Sequence, residues 1–114
     1  MIRKLLSGNT VIAYLHSPRE KIWGLLLDLD SAGAYIHGID LSAFDDWLKN
    51  LASGESGLGL TSVFIPMWRV ERLARDEATA GIPALEDHFR QRAGSNLKEW
   101  LDRQSSSDET DIVV

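Results

Sequence analysis

Residues 11–41 read VIAYLHSPREKIWGLLLDLDSAGAYIHGIDL, and this stretch decides the fold because it alternates apolar runs with turn signals. The runs are rich in β-branched, aromatic and other apolar residues, and Pro18 and Gly33 mark the two turns between them. The predicted strands are residues 10–16, 21–30 and 34–41. The stretch therefore predicts a small, strongly bent antiparallel β-sheet.

The second predicted strand is apolar on both faces. Its central segment IWGLLLDL leaves neither face polar over most of its length, so we expect both faces of the sheet to be covered. Gly24 lies inside this strand, where a missing side chain permits a bend or a close approach of two backbones. The sequence therefore predicts that the sheet curls near Gly24.

The rest of the chain adds helices and two more strands. Ser42 is predicted to cap a helix over residues 42–53, because Asp45 follows at capping-box spacing and an apolar stripe at helical spacing comes next. The other predicted elements are strands at residues 60–65 and 68–76 and a C-terminal helical region at residues 83–101. Residues 1–101 thus predict one mainly β domain with added helices, followed by a disordered acidic tail at residues 102–114.

The composition is that of an ordinary globular chain, with 44% hydrophobic and 25% charged residues. No apolar run approaches the roughly 20 residues that span a bilayer, so we expect no membrane association. The absence of cysteine excludes disulfides and thiolate chemistry and fits the reducing cytoplasm, where we expect this protein. The formal net charge of −5 gives no long-range attraction to nucleic-acid phosphates.

Two segments resemble the motifs of the Sm-like family, which includes the Sm, LSm and Hfq proteins. The first Sm motif has alternating apolar residues followed by Gly, Leu and Asp, and the chain matches it at Val11, Ala13, Leu15, Gly24, Leu26 and Asp30. The second motif is a strand, a sharp corner and a final strand, and residues 62–73 (SVFIPMWRVERL) share that layout. The resemblance covers residues 10–76. It implies a five-stranded, strongly bent, SH3-like barrel, here with a helix between the third and fourth strands.

The resemblance also implies assembly into a closed homo-oligomer. Sm-like barrels form rings in which the fourth strand of one subunit pairs with the fifth strand of the next, which hides exposed strand edges. The corresponding segments here are residues 60–65 and 68–76. The residues expected at this interface are Leu60, Ser62, Val63, Phe64, Ile65 and Val70.

The chain departs from the family where Sm-like proteins hold a nucleotide base. Asp30 is retained, but Ala34 stands in the place of an asparagine, and Pro66-Met67 stands in the place of an Arg-Gly corner. The side-chain donor and the flexible glycine of that corner are both replaced. We therefore expect the usual uridine pocket to be lost.

A basic and aromatic cluster after Pro66 offers a different RNA site. Its arginines would contact phosphates and Trp68 would stack on a base, while the alternative is a solvated strand face with Arg72 paired to acidic neighbours. Tyr35 offers a second stacking ring, with core or interface packing as the alternative, and Asp30 either joins the site or caps its own turn. The candidate RNA-binding residues are Arg69, Arg72, Arg75, Trp68, Tyr35 and Asp30.

The sequence carries no catalytic signature. It contains no glycine-rich phosphate loop and no serine elbow, and its three histidines share no metal-ligand spacing. We therefore expect a protein that is not an enzyme and that has no cofactor and no metal. Two functions remain open: an oligomeric, RNA-associated regulator without the uridine pocket, and a protein–protein interaction or assembly module that binds no nucleic acid.

Overall fold

A computed structural model describes residues 5–53 and 59–111 of the 114-residue chain. Within these ranges the chain forms five strands and three α-helices, joined in part by short 3₁₀ turns. The strands are β1 (Thr10–Leu15), β2 (Glu20–Leu29), β3 (Gly33–Asp40), β4 (Thr61–Pro66) and β5 (Val70–Arg75). The helices are α1 (Phe44–Ser53), α2 (Leu85–Ala93) and α3 (Leu97–Asp111), and the 3₁₀ turns are Leu41–Ala43 and Met67–Arg69.

The strands form one antiparallel sheet in the order β4-β3-β2-β1-β5. This confirms the predicted mainly β fold with added helices. The predicted closure into a barrel is wrong, because within the described ranges β4 and β5 do not pair and stand at opposite edges. Because every neighbouring pair in the sheet is antiparallel, β4 and β5, which are four positions apart in the strand order, run in the same direction. Closing the sheet would thus need a parallel pair, and the three-residue turn Met67–Arg69 is too short for a parallel crossover.

The sheet is nevertheless curled, as the sequence predicts. Val63 and Ile65 of β4 and Val70 and Leu73 of β5 pack in the same hydrophobic cluster, although their strands lie at opposite ends of the strand order. A flat sheet would hold these side chains about four strand spacings apart, close to 20 Å. One face of the sheet must therefore fold over itself, and this strand-built cluster is the first core. Its fully buried members are Val11, Ala13, Leu15, Leu26, Ala34, Ile36 and Ile65.

The close backbone approach predicted at Gly24 is confirmed. Gly24 of β2 lies directly opposite Gly38 of β3. A Cβ atom at Gly24 would lie 2.3 Å from the carbonyl oxygen of His37 and 2.4 Å from the Cα of Gly38. Such distances leave no room for any side chain, so the two strands can meet this closely only as a glycine pair.

The second core lies between the other face of the sheet and the helices. Trp23 of β2, Trp47 of α1 and Phe89 of α2 are almost completely buried, and the rings of Trp47 and Phe89 are stacked with centroids 5.3 Å apart. Aromatic side chains of this size contribute much of the burial that stabilises a small domain. Both faces of β2 are covered from Trp23 to Leu26, as its apolar sequence predicts, whereas Leu27 and Leu29 near its end are exposed. The other buried members of this core are Leu25, Phe44, Leu48 and Leu97.

The helix boundaries differ from the predicted ones at their starts. Asp40, rather than Ser42, caps the turn before α1, because its carboxylate accepts hydrogen bonds from the Ser42 backbone N–H (2.8 Å) and hydroxyl (2.6 Å). These bonds stabilise the ionised carboxylate and lower the pKa of Asp40. Gly94 ends α2 with a left-handed φ of 79°, a conformation that favours glycine.

The C-terminal segment also differs from its prediction. The sequence predicts disorder from residue 102, whereas α3 continues to Asp111. Leu97 anchors the first turn of α3 in the second core, and a helix that is already nucleated adds further residues at low cost. Residues 112–114 of the predicted tail lie outside the described residues.

Candidate interaction surface

Arg69, a candidate phosphate contact, is held by neighbouring strands. It lies in the 3₁₀ turn Met67–Arg69 rather than in the predicted strand, and its guanidinium forms an ion pair with Glu20 at 2.8 Å. The same group donates to the carbonyl oxygens of His16 at 3.2 Å and Pro18 at 2.7 Å. Three partners fix the guanidinium against the β1–β2 turn. Arg69 therefore stabilises this corner of the sheet.

Arg72 and Arg75 lie on opposite faces of β5. Arg72 is directly opposite Tyr14 on β1, and its guanidinium carbon lies 4.2 Å from the centroid of the Tyr14 ring. Arg75 is opposite Val11, which belongs to the first core. Residues directly opposite each other in a ladder project to the same face, so these two arginines point in different directions. Arg72 and Arg75 therefore do not share a face, and the guanidinium of Arg69 is engaged by its own partners.

Trp68 is the candidate residue that remains best placed to meet a partner. It is 65% exposed at the corner between β4 and β5 and makes an edge contact with the ring of His16, with centroids 6.2 Å apart. Met67 beside it is 37% exposed. The corner at Met67 and Trp68 is therefore apolar and open to solvent.

Asp30 caps its own turn, as the alternative to an RNA-binding role predicts. Its Oδ1 accepts hydrogen bonds from the backbone N–H groups of Ala32 at 2.8 Å and Gly33 at 3.2 Å. Ala34, which follows this turn, is completely buried in the first core. Ala34 therefore faces the protein interior and offers no group to a ligand.

Tyr35 and Phe64 form an exposed aromatic pair beside the free edge of the sheet. They lie opposite each other on β3 and β4, with ring centroids 4.7 Å apart, and are 40% and 45% exposed. In the next pair of the same face, a ring nitrogen of His37 lies 2.7 Å from the hydroxyl of Ser62. Partial burial lowers the pKa of His37, which favours the neutral imidazole in this bond. We call Tyr35 and Phe64 the edge aromatic pair.

The residues predicted at an oligomer interface divide into two groups. Ser62 and Phe64 are exposed and project from the face that bears the edge aromatic pair. The others contribute to the cores: Val63, Ile65 and Val70 pack in the first core and Leu60 packs against the second. A partner at β4 would therefore meet the side chains of Ser62 and Phe64 and the backbone of the strand.

Asp76, directly after β5, is a structural residue that the sequence reasoning missed. Its Oδ2 accepts hydrogen bonds from the indole Nε1–H of Trp23 (2.9 Å) and the backbone N–H of Glu86 (2.8 Å). Its Oδ1 accepts one from the N–H of Leu85 (2.9 Å). One carboxylate thus caps α2 and accepts the hydrogen bond of the indole N–H of Trp23, which is completely buried. The sequence offered only a weak signal, because Asp76 lies nine residues before Leu85, the first residue of α2. An N-cap residue recognisable from sequence directly precedes its helix.

An open groove of about 660 Å³ lies at the end of the sheet beside the β1–β2 turn. Charges of both signs line it, from Arg19 and Lys21 to Asp40 and Glu71, together with the ring of Tyr14. No cluster of His, Asp or Glu within residues 5–53 and 59–111 has the arrangement that holds a metal ion. Among the helices of those ranges, none is both long enough and apolar enough to span a membrane.

Comparisons of the chain with models of protein families, with curated proteins and with solved structures found no match. Function must therefore be argued from the geometry of the chain itself. That geometry offers two sheet edges, the edge aromatic pair and the exposed corner at Trp68.

Proposed function

We propose that this chain is an Sm-like assembly module whose copies join through the two edges of the curled sheet. The observation that carries the proposal is the pair of six-residue edge strands, β4 and β5, at opposite ends of one sheet. An edge strand presents a row of backbone donors and acceptors that readily pair with another chain. A chain with two such edges and an apolar pair beside one of them is suited to bind its own copies.

The strand order supports the Sm-like form of the proposal. Among the described residues, the order β4-β3-β2-β1-β5 leaves β4 and β5 as the unpaired ends, and a 3₁₀ corner joins the two strands. A contact between the β4 edge of one copy and the β5 edge of the next is heterologous. Repetition of such a contact gives a ring where the rotation closes.

Light scattering coupled to size-exclusion chromatography tests this function. The full chain has a mass of 12.7 kDa, and we expect a single species at an integral multiple of that mass at micromolar concentration. Dilution is expected to shift the population toward smaller species, because association depends on concentration. A strict 12.7 kDa monomer at all concentrations would contradict the proposal.

RNA association is the second candidate, and the exposure of Trp68 is the observation that favours it. Stacking of a base on an aromatic side chain contributes roughly 1–3 kcal/mol to the free energy of RNA binding. Trp68→Ala, which removes the indole, is therefore expected to weaken binding of a labelled single-stranded RNA at least about fivefold. Fluorescence anisotropy at moderate salt measures this effect. Ile82→Ala is the matched control, because Ile82 is 68% exposed at a distant loop. Undetectable binding, or equal binding by both variants, would remove this candidate.

A further inference from the structure

The groove beside the β1–β2 turn adjoins a second cavity, and Tyr14 lies where the two meet. The groove has a volume of about 660 Å³ and the second cavity one of about 360 Å³. Tyr14 and Glu71 line both of them, and Arg72 lines the second. Each volume lies within the range of sites that hold small organic ligands, roughly 300–1,000 Å³. The side chains around Tyr14 therefore determine what chemistry such a ligand would need.

Two cations lie against the ring of Tyr14. Lys21 on β2 and Arg72 on β5 are its ladder partners, one on each side of β1. The Nζ of Lys21 lies 5.6 Å from the centroid of the ring, and the guanidinium carbon of Arg72 lies 4.2 Å from it. The electrons of the ring attract both cations, although the two positive charges repel each other. The ring thus holds two like charges close together.

The polar groups of this cluster have unused hydrogen-bonding capacity. Among the described residues, neither Lys21 nor Arg72 forms an ion pair, and the hydroxyl of Tyr14 makes no hydrogen bond. No polar side-chain atom in that part of the chain is both buried and unpaired, so this hydroxyl reaches solvent. A carboxylate placed between the two cations could accept hydrogen bonds from both of them and from the hydroxyl. It would also relieve the repulsion between the cations.

Glu71 adds a negative charge beside these cations. Strand β5 carries one extra residue here, because Tyr14 is opposite Arg72 whereas the next residue of β1 is opposite Val70. Glu71 is that extra residue, and such a bulge re-aims a side chain relative to a regular strand. Its carboxylate forms no ion pair within residues 5–53 and 59–111. The two adjoining cavities thus share one unpaired acid next to unpaired cations.

The other acids of the groove already have partners. Glu20 pairs with Arg69, and the carboxylate of Asp40 accepts hydrogen bonds from Ser42. Glu71 is therefore the acid best able to accept a hydrogen bond from a bound ammonium group. Leucine side chains, from residues 15 and 41, also line the groove and offer apolar contacts. The lining thus combines sites for a carboxylate, an ammonium group and an apolar side chain.

We infer that this groove binds an apolar dipeptide with free termini, its carboxylate between Lys21 and Arg72 at the Tyr14 hydroxyl and its ammonium group on Glu71. A zwitterion complements both signs of charge, whereas the phosphates of a nucleic acid would bring only negative charge to Glu71. A single amino acid would leave much of the 660 Å³ groove unfilled. All of these groups belong to one copy of the chain, so the inference goes beyond the proposed assembly and does not depend on it.

Isothermal titration calorimetry of the full chain with leucyl-leucine at low ionic strength tests the inference. We expect saturable binding that weakens at least about tenfold when either terminus of the dipeptide is blocked, because each block removes charge-assisted hydrogen bonds. N-acetyl-leucyl-leucine lacks the ammonium group, and leucyl-leucine amide lacks the carboxylate. Equal binding of the acetylated and free dipeptides would reveal a site for anions only and overturn the inference. No binding heat up to about 10 mM leucyl-leucine would also overturn it.

Two variants locate the termini of the bound dipeptide. Lys21→Gln is expected to weaken binding of leucyl-leucine at least about fivefold and to leave the weaker binding of the amide unchanged. Glu71→Gln is expected to weaken leucyl-leucine to a similar extent and to leave the acetylated dipeptide unchanged. Lys49→Gln is the matched control, because Lys49 is exposed on α1 and does not line the groove. Circular dichroism that matches the natural chain shows that the variants fold. Equal affinities of all three variants for leucyl-leucine would overturn the inference, whatever the oligomeric state of the chain.

Discussion

Asp76→Ala is expected to lower the free energy of unfolding by about 3–5 kcal/mol, since the change removes three hydrogen bonds to one carboxylate. The buried indole N–H of Trp23 and the first N–H groups of α2 would be left without their acceptor. An unsatisfied buried donor costs more than the bond itself contributes, which is why a large loss is expected. Urea unfolding, followed by circular dichroism and tryptophan fluorescence, measures the change.

The contribution of the Trp23 bond can be separated from the capping of α2. Trp23→Phe keeps an aromatic ring in the second core but removes the donor, so a double-mutant cycle with Asp76→Ala isolates the coupling between the two side chains. Asp76→Asn retains one carbonyl oxygen and is expected to cost less than the alanine variant. Equal stability of Asp76→Ala and the natural chain would show that water replaces the carboxylate at all three donors.

Gly24→Ala is expected to destabilise the fold by about 3 kcal/mol or more. The added methyl group would lie 2.3 Å from the carbonyl oxygen of His37 and 2.4 Å from the Cα of Gly38, and both are backbone atoms that cannot rotate away. The two strands would have to separate at the point where Gly24 lies opposite Gly38. Thermal and urea unfolding of the variant measure the loss.

Gly59→Ala is the matched control for this change. An added Cβ at Gly59 meets no atom within 4 Å, so only the small backbone preference of glycine is altered there. We expect a change within about 1 kcal/mol for this variant. Comparable effects of the two substitutions would contradict the role assigned to the Gly24–Gly38 pair.

The strands were predictable because local chemistry specifies them. Alternating apolar residues, Pro18 in the first turn and the Asp30-to-Gly33 turn place β1, β2 and β3 within a residue or two of their observed ends. The apolar character of both faces of β2 correctly indicated that both are covered from Trp23 to Leu26, but it was wrong for Leu27 and Leu29, which are exposed. The glycine inside β2 correctly indicated a close approach, although only the structure identifies Gly38 as its partner.

Contacts between distant residues were beyond the reach of the sequence pattern. Glu20 and Arg69 form an ion pair across 49 positions, and Trp23 and Asp76 bond across 53. Local spacing assigned Arg69 to a basic cluster, Trp23 to the second strand and Asp76 to the end of the last strand. Arg72 and Arg75 lie on opposite faces for a simpler reason. Side chains alternate between the two faces of a strand, so residues three positions apart project to opposite sides. The prediction of a basic cluster did not take this alternation into account.

The position of Asp76 has a consequence for how the molecule opens. Its N–H bonds to Thr10 of β1 while its carboxylate holds the first turn of α2, so the end of an edge strand and the helical layer share one residue. Fraying of β5 from that end would release α2 and admit solvent to Trp23. Conversely, a partner that binds the outer edge of β5 and keeps this strand ordered would also stabilise the packing of the helices on the sheet. Strand order and helix docking are thus thermodynamically linked, and a neighbour that touches only the sheet would still stabilise the far side of the protein.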